Sequence, residues 1–186
     1  GYLMQTGIKP VTHEHVEKPL VNYDFAENCW MYLDMMRELC EKHGSPLYVM
    51  DENRIREKCR IYIGAMKKHF GGESKPLYAS KAASFKRIYE IVNDEGMGID
   101  VVSIGEIYTA MKAGMSLENA YFHSNNKTDE DVDFAIKNGI GYFVVDNAEE
   151  LAVIDKYAKI YNVNQKVLLR LTPGIDTHTY EAVNTG

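Results

Sequence analysis

The sequence predicts an α/β protein built as a parallel (β/α)8 TIM-type barrel, incomplete in this chain, with about six β/α units over 186 residues. Three observations carry this. Short apolar runs alternate with helix-patterned segments at roughly 20 to 30 residues per unit, which is the rhythm of parallel strands joined by crossover helices. No G-x-G-x-x-G or phosphate-loop glycine pattern opens a helix, as a dinucleotide-binding doubly wound sheet would have. Polar residues recur where strands end, at Asp51, Lys81, Ser103, His123 with Asn125, Asp146 and Arg170. In barrel enzymes that end holds the chemistry. Six strands would also satisfy a doubly wound sheet, whereas a closed barrel needs eight strands and typically about 250 residues. The barrel reading therefore carries the expectation that the biological protein is longer.

Residues 1–23 show little periodicity and are read as an arm or strand belonging to another domain, with residues 24–186 as the partial barrel. Trp30, Leu33, Met36, Leu39 and Cys40 recur at helical spacing, so a helix is predicted over 24–43 with Gly44 as its stop. Leu47–Met50 reads as a strand, and residues 52–70 as a helix with Ile55, Cys59, Tyr62, Ile63 and Met66 on one side. Strands follow at 77–80, 99–102, 120–122, 142–145 and 167–171. Helices are predicted at 84–95, 104–113, 129–137 and 148–161, and Gly96, Gly114 and Gly139 follow three of them. Thr128 occupies an N-cap position, with the charged Glu130 and Asp131 in the first turn.

Composition narrows the function. The formal net charge is −6, which disfavours nucleic acid or an anionic membrane surface as partner. The apolar runs are strand-sized, and no basic region followed by an apolar core opens the chain, so neither a membrane span nor a signal peptide is expected. Three cysteines, Cys29, Cys40 and Cys59, have no metal-knuckle or redox spacing and suit a reduced, cytoplasmic protein. His13 and His15 read as a solvated pair, and no metal site is expected.

The chemistry centres on Pro76-Leu77-Tyr78-Ala79-Ser80-Lys81-Ala82. A lysine ending an apolar strand beside small residues has two readings. It reaches into solvent along its aliphatic stem, or it is desolvated, which lowers its pKa and makes it a nucleophile toward carbonyls. Ala79 and Ala82 beside it are small, which for Ala79 also suits barrel-interior packing.

Tyr78-Ala79-Ser80-Lys81-Ala82 resembles the pyridoxal-phosphate lysine motif of the fold-type III decarboxylases, the alanine-racemase-like barrels. Gly98-Ile99-Asp100-Val101-Val102-Ser103-Ile104-Gly105-Glu106 is similar to that family's next signature. Tyr121-Phe122-His123-Ser124-Asn125-Asn126-Lys127 resembles a run typical of its diaminopimelate decarboxylase branch, with Ser124 replacing the usual glycine. Arg170-Leu171-Thr172-Pro173-Gly174-Ile175-Asp176, then His178 and Thr185-Gly186, also resemble that branch. The match runs from about Gly44 to Gly186.

The resemblance implies pyridoxal 5'-phosphate as cofactor and decarboxylation of meso-2,6-diaminopimelate to L-lysine and carbon dioxide. It implies Lys81 as the cofactor-binding catalytic lysine, with Ala79, Asp100, Glu106, His123 and Arg170 at the cofactor. It also implies a homodimer with shared active sites. In such enzymes a cofactor-stacking histidine, phosphate-holding glycine loops, the ring-nitrogen carboxylate and a C-terminal β domain lie later in the chain, so this stretch alone is expected not to turn over. Arg170 is expected to pair with Asp100 or Glu106, since a buried guanidinium needs a carboxylate. For Glu106 the alternative is an acid interacting with a helix N-terminus; for His123, a core histidine bonded to backbone. The competing functions are decarboxylation of ornithine, arginine or carboxynorspermidine, a non-catalytic pyridoxal-phosphate-binding homologue, or a doubly wound binding domain without cofactor.

Overall fold

The computed structural model describes residues 29–72 and 74–171. The chain divides into two compact units, Gly1–Asn53 and Arg54–Gly186. The boundary expected near residue 23 falls outside the described residues.

In the first unit, α1 (Cys29–His43) ends with Lys42 and His43 in its last turn, where positive charge suits the exposed carbonyls. Gly44 follows at φ +89°, and its N–H bonds the Cys40 carbonyl at 2.8 Å. Leu47–Met50, expected as a strand, is not one. Its side chains are exposed, Tyr48 fully so. Apolar composition favours a strand only where a neighbouring strand supplies a ladder, and these residues have none among the described residues. The sheet therefore has five strands there, not the six expected.

The second unit alternates throughout. After α2 (Glu52–Phe70) come β1 (Leu77–Ala79), α3 (Lys86–Asp94), β2 (Gly98–Val101), α4 (Ile104–Lys112), β3 (Ala120–His123), α5 (Asp129–Lys137), β4 (Tyr142–Val145), α6 (Ala148–Tyr161) and β5 (Lys166–Leu169). Short 3-10 turns occupy Ser80–Ala82 and Leu117–Asn119. All pairings are parallel, in the order β1-β2-β3-β4-β5. A doubly wound sheet reverses strand order at a switch point. The unbroken order here is that of a barrel wall, as the sequence predicts.

Side chains alternate across each strand, and laterally paired residues share a face. One face carries Ile99, Val101, Ala120, Phe122, Phe143 and Val145, all buried. It packs with α3 through Ile88, Tyr89 and Val92, with α4 through Ile107 and Ala110, with α5 through Val132 and Ile136, and with α6 through Ile154. Phe122 and Phe143 meet at 5.7 Å between ring centroids. The other face carries Ala79, Asp100, Tyr121, His123, Tyr142 and Val144, placed by the register and half-buried. There Tyr121 stacks on Tyr142 at 4.3 Å, and Lys166 Nζ lies 5.2 Å from the Tyr142 ring centre. These three are paired residues of β3, β4 and β5.

Helix starts are fixed by side chains. Ser103 Oγ accepts from Glu106 N–H, Thr128 and Asp131 form a reciprocal capping box, and Asn147 Oδ1 accepts from Glu150 N–H. Lys127 ties two of these loops together. Its side chain is fully buried, and Nζ donates to Ser124 O at 2.7 Å, Val144 O at 2.8 Å and Glu150 Oε1 at 2.7 Å. All three ammonium protons are thus used. Gly141, just before β4, allows the closest backbone approach: a Cβ there would lie 2.0 Å from the Glu118 carbonyl oxygen.

Two stability outcomes follow for the full-length protein. Gly141→Ala must push two backbone segments apart and is expected to cost about 2–3 kcal/mol, read as a lowered urea midpoint; a shift within error would contradict the close approach. Lys127→Met strands the buried Glu150 carboxylate and is expected to cost about 3–5 kcal/mol, with Lys127→Met/Glu150→Gln recovering part of it. Equal midpoints for the single and double variants would show that the pair is not coupled.

Candidate functional site

The site lies at the carboxyl ends of the strands. Lys81 sits in the 3-10 turn directly after β1, the first strand in the sheet order. Its side chain is exposed, so of the two sequence readings the desolvated lysine is not the one seen in this chain. The turn is pinned from below by Tyr78, whose hydroxyl donates to Ala83 O at 2.9 Å. Burial pushes the Tyr78 phenol above its ordinary pKa.

Asp100 is the third residue of β2, in register with Ala79 on β1 and Tyr121 on β3. Burial raises its carboxyl above the ordinary value, while the charges of His123 and Lys81 pull it back down. His123, the last residue of β3, places Nδ1 3.8 Å from Asp100 Oδ2. Lys81, Ala79, Asp100 and His123 thus converge on one rim, from three adjacent strands.

Arg170 and Glu106 are used differently from the expectation. Arg170 Nη1 pairs with Asp146 Oδ1 at 3.0 Å, not with Asp100 or Glu106. The reason is topological: Arg170 N–H bonds Val145 O at 2.9 Å, extending the β4–β5 ladder, and Asp146 is the next residue on β4's exit. Asp100 lies two strands further away in the sheet order. Glu106 is buried in the first turn of α4, and its Oε2 accepts from Val102 N–H at 2.7 Å. It serves the helix start and the β2 exit. Its carboxyl is raised by burial, lowered by the Val102 N–H, and raised again by the neighbouring Asp100 charge.

Sequence reasoning missed the roles of Lys127 and Glu150, and placed Asp146 at a strand end without its pairing to Arg170. Asp146 could pass for a turn residue, and a lysine in a polar run gives no sign of burial. The one available signal was the repeated spacing Ser103-x-x-Glu106 and Asn147-x-x-Glu150, which puts a carboxylate at the same position of both helices.

Concavities of about 400 and 600 Å³ lie at the opposite end, around Asn119, Gly139 and Lys166 and around Met115 and Glu118, and contain none of these residues. Among the described residues no group of three His, Cys, Asp or Glu side chains could hold a metal, and Cys40 and Cys59 are free thiols. No helix of the described residues is long and apolar enough to cross a membrane. The donor set fits the aldehyde end of pyridoxal phosphate: an exposed amine, a methyl-only floor at Ala79, and a carboxylate and an imidazole alongside.

The chain is similar to proteins of known activity. It is 41% identical over 151 residues to diaminopimelate decarboxylase of Staphylococcus aureus (strain COL), covering 81% of this chain and 35% of the relative. The Bacillus subtilis (strain 168) enzyme of the same name is 41% identical over 148 residues, at 80% and 34% coverage. Among solved structures, diaminopimelate decarboxylase from Helicobacter pylori complexed with L-lysine superposes with TM-score 0.71 at 29% identity, covering 79% of this chain and 36% of that one. The M. jannaschii enzyme in co-complex with L-lysine gives TM-score 0.68 at 34% identity, with 76% and 33% coverage. The chain spans about a third of the length of these relatives. Residues 52–186 match the family described as pyridoxal-dependent decarboxylase, pyridoxal binding domain. The chain belongs to that family of pyridoxal-dependent decarboxylases, and its parallel-stranded unit carries their pyridoxal-binding domain.

Proposed function

We propose that the full-length protein is a diaminopimelate decarboxylase that converts meso-2,6-diaminopimelate to L-lysine and carbon dioxide. The observation that carries this reading is the placement of Lys81, Asp100 and His123 at the carboxyl ends of three adjacent parallel strands, with His123 Nδ1 3.8 Å from Asp100 Oδ2. Identities of 39–42% to diaminopimelate decarboxylases support the substrate. Cytoplasmic residence and a homodimer with shared active sites belong to the same proposal and rest on the resemblance.

When bound, pyridoxal phosphate supplies the electron sink for the pair left on Cα as carbon dioxide departs. The rest falls to the chain. Lys81 would hold the cofactor through its amine, on a turn braced by Tyr78. Ala79 leaves the strand open beside it. Asp100 and His123 would stand beside the bound ring as a carboxylate and an imidazole, Nδ1 3.8 Å from Oδ2. Arg170, aimed by Asp146, keeps a permanent positive charge on the same rim, suited to an anionic group. Glu106 keeps Asp100's strand exit in place through Val102.

Lys81→Ala in the full-length protein should abolish the visible absorbance that pyridoxal phosphate acquires on a lysine, and lower lysine formation by at least about a thousandfold, as loss of a covalent catalytic group does. Retention of that absorbance would refute the assignment. Turnover of ornithine or arginine in preference to meso-diaminopimelate would refute the substrate.

A further inference from the structure

Three strand exits at the candidate rim are joined by side chains as well as by the sheet. The β3–β4 register ends with His123 against Val144. There the Lys127 ammonium donates to Ser124 O at 2.7 Å and to Val144 O at 2.8 Å, so one cation bridges the two strands at the rung that carries His123. Its third proton goes to Glu150 Oε1 at 2.7 Å. The other carboxylate oxygen, Oε2, accepts from Asp146 N–H at 3.4 Å. Asp146 Oδ1 in turn accepts from Arg170 Nη1 at 3.0 Å. A continuous polar row therefore runs from the residue after His123, through Lys127, Glu150 and Asp146, to Arg170 at the exit of β5.

Stability alone does not account for this row. The Lys127 and Glu150 side chains are 0% and 5% exposed, and desolvating them offsets much of their mutual attraction. Apolar side chains of similar size often fill such a place with no loss of stability. They cannot hold two backbone carbonyls and a carboxylate in fixed directions around one point, as an ammonium does. The residues at the two ends of the row need that kind of control. His123 and Arg170 have side chains 41% and 30% exposed, so packing alone holds neither.

We propose that Lys127 and Glu150 are positioning residues for the cofactor site: Lys127 fixes the backbone that carries His123, and Glu150 fixes the Asp146 that aims Arg170. Both are buried and act through those two side chains. The proposal rests on the reading of this rim as the pyridoxal-phosphate site.

The test uses the full-length protein as wild type, Glu150→Gln and Lys127→Met/Glu150→Gln, with Lys81→Ala as the control for the site. The double variant removes both buried charges together, so neither is left without its partner. Each protein is titrated with pyridoxal phosphate by visible absorbance and assayed for kcat and KM on meso-2,6-diaminopimelate, at a temperature where urea unfolding shows it fully folded. The double variant should raise the half-saturating cofactor concentration about three- to tenfold, the effect of a lost hydrogen bond. It should lower kcat about ten- to a hundredfold with a smaller change in KM, as loosened orientation does. A folded double variant with wild-type half-saturation and kcat would show that the pair serves only the fold, and would overturn the proposal. Should the double variant fail to fold, Glu150→Gln, which keeps the shape of the side chain, decides by the same readouts. Absorbance retained in Lys81→Ala defeats the reading of the site itself. Wild-type behaviour of the charge variants, with Lys81→Ala blank, defeats only the positioning role.

Discussion

Lateral pairing of the strands is the constraint on which everything else in the second unit depends. Ala79, Asp100 and Tyr121 stand side by side because β1, β2 and β3 are locked in that register. With a side-chain period of two, a slip of one residue in β2 would turn Asp100 into the layer now filled by Ile99 and Val101. The hydrocarbon packed between sheet and helices forbids that slip. The core thus does more than stabilise: it decides which face a carboxylate occupies, and hence that Asp100 meets His123 and not a helix.

The loops above this sheet share a device. Glu106 and Glu150 sit at matching positions in the first turns of α4 and α6, both buried, and each accepts from the backbone N–H at the preceding strand's exit, at Val102 and Asp146. Their surroundings then separate them. Glu150 is matched by the Lys127 ammonium at 2.7 Å, whereas Glu106 stands near the Asp100 carboxylate and is driven up by burial. The same geometry therefore yields a fixed ion pair in one loop, and beside the candidate site a carboxyl held above its ordinary pKa by burial.

Much of this was legible in the residues. The alternation of elements, the N-cap at Thr128 and the bounds of α2, α5, β4 and α6 follow from period, cap chemistry and glycine placement, all of them local. Leu47–Met50 was misread because a strand is a relation between segments, and composition reports only one of them. Arg170's partner was misassigned for a related reason: opposite charge says that a carboxylate is needed, but strand order says which one, and Asp146 is the neighbour. The exposure of Lys81 was one of two readings the residues allowed, and the sequence could not choose between them because burial at a strand end depends on what lies beside the strand. Lys127 was hidden because a lysine among asparagines reads as solvated, although every proton on it is taken by protein oxygen.

That saturation bears on selectivity. Two lysine amines stand close to these strand ends, Lys81 after β1 and Lys127 after β3. An amine attacks a carbonyl with its lone pair, and Lys127 would have to give up three donated bonds and leave Glu150 behind to free one. An aldehyde arriving from solvent therefore has a single practical choice between them. The chain discriminates between chemically identical side chains by occupying one of them fully.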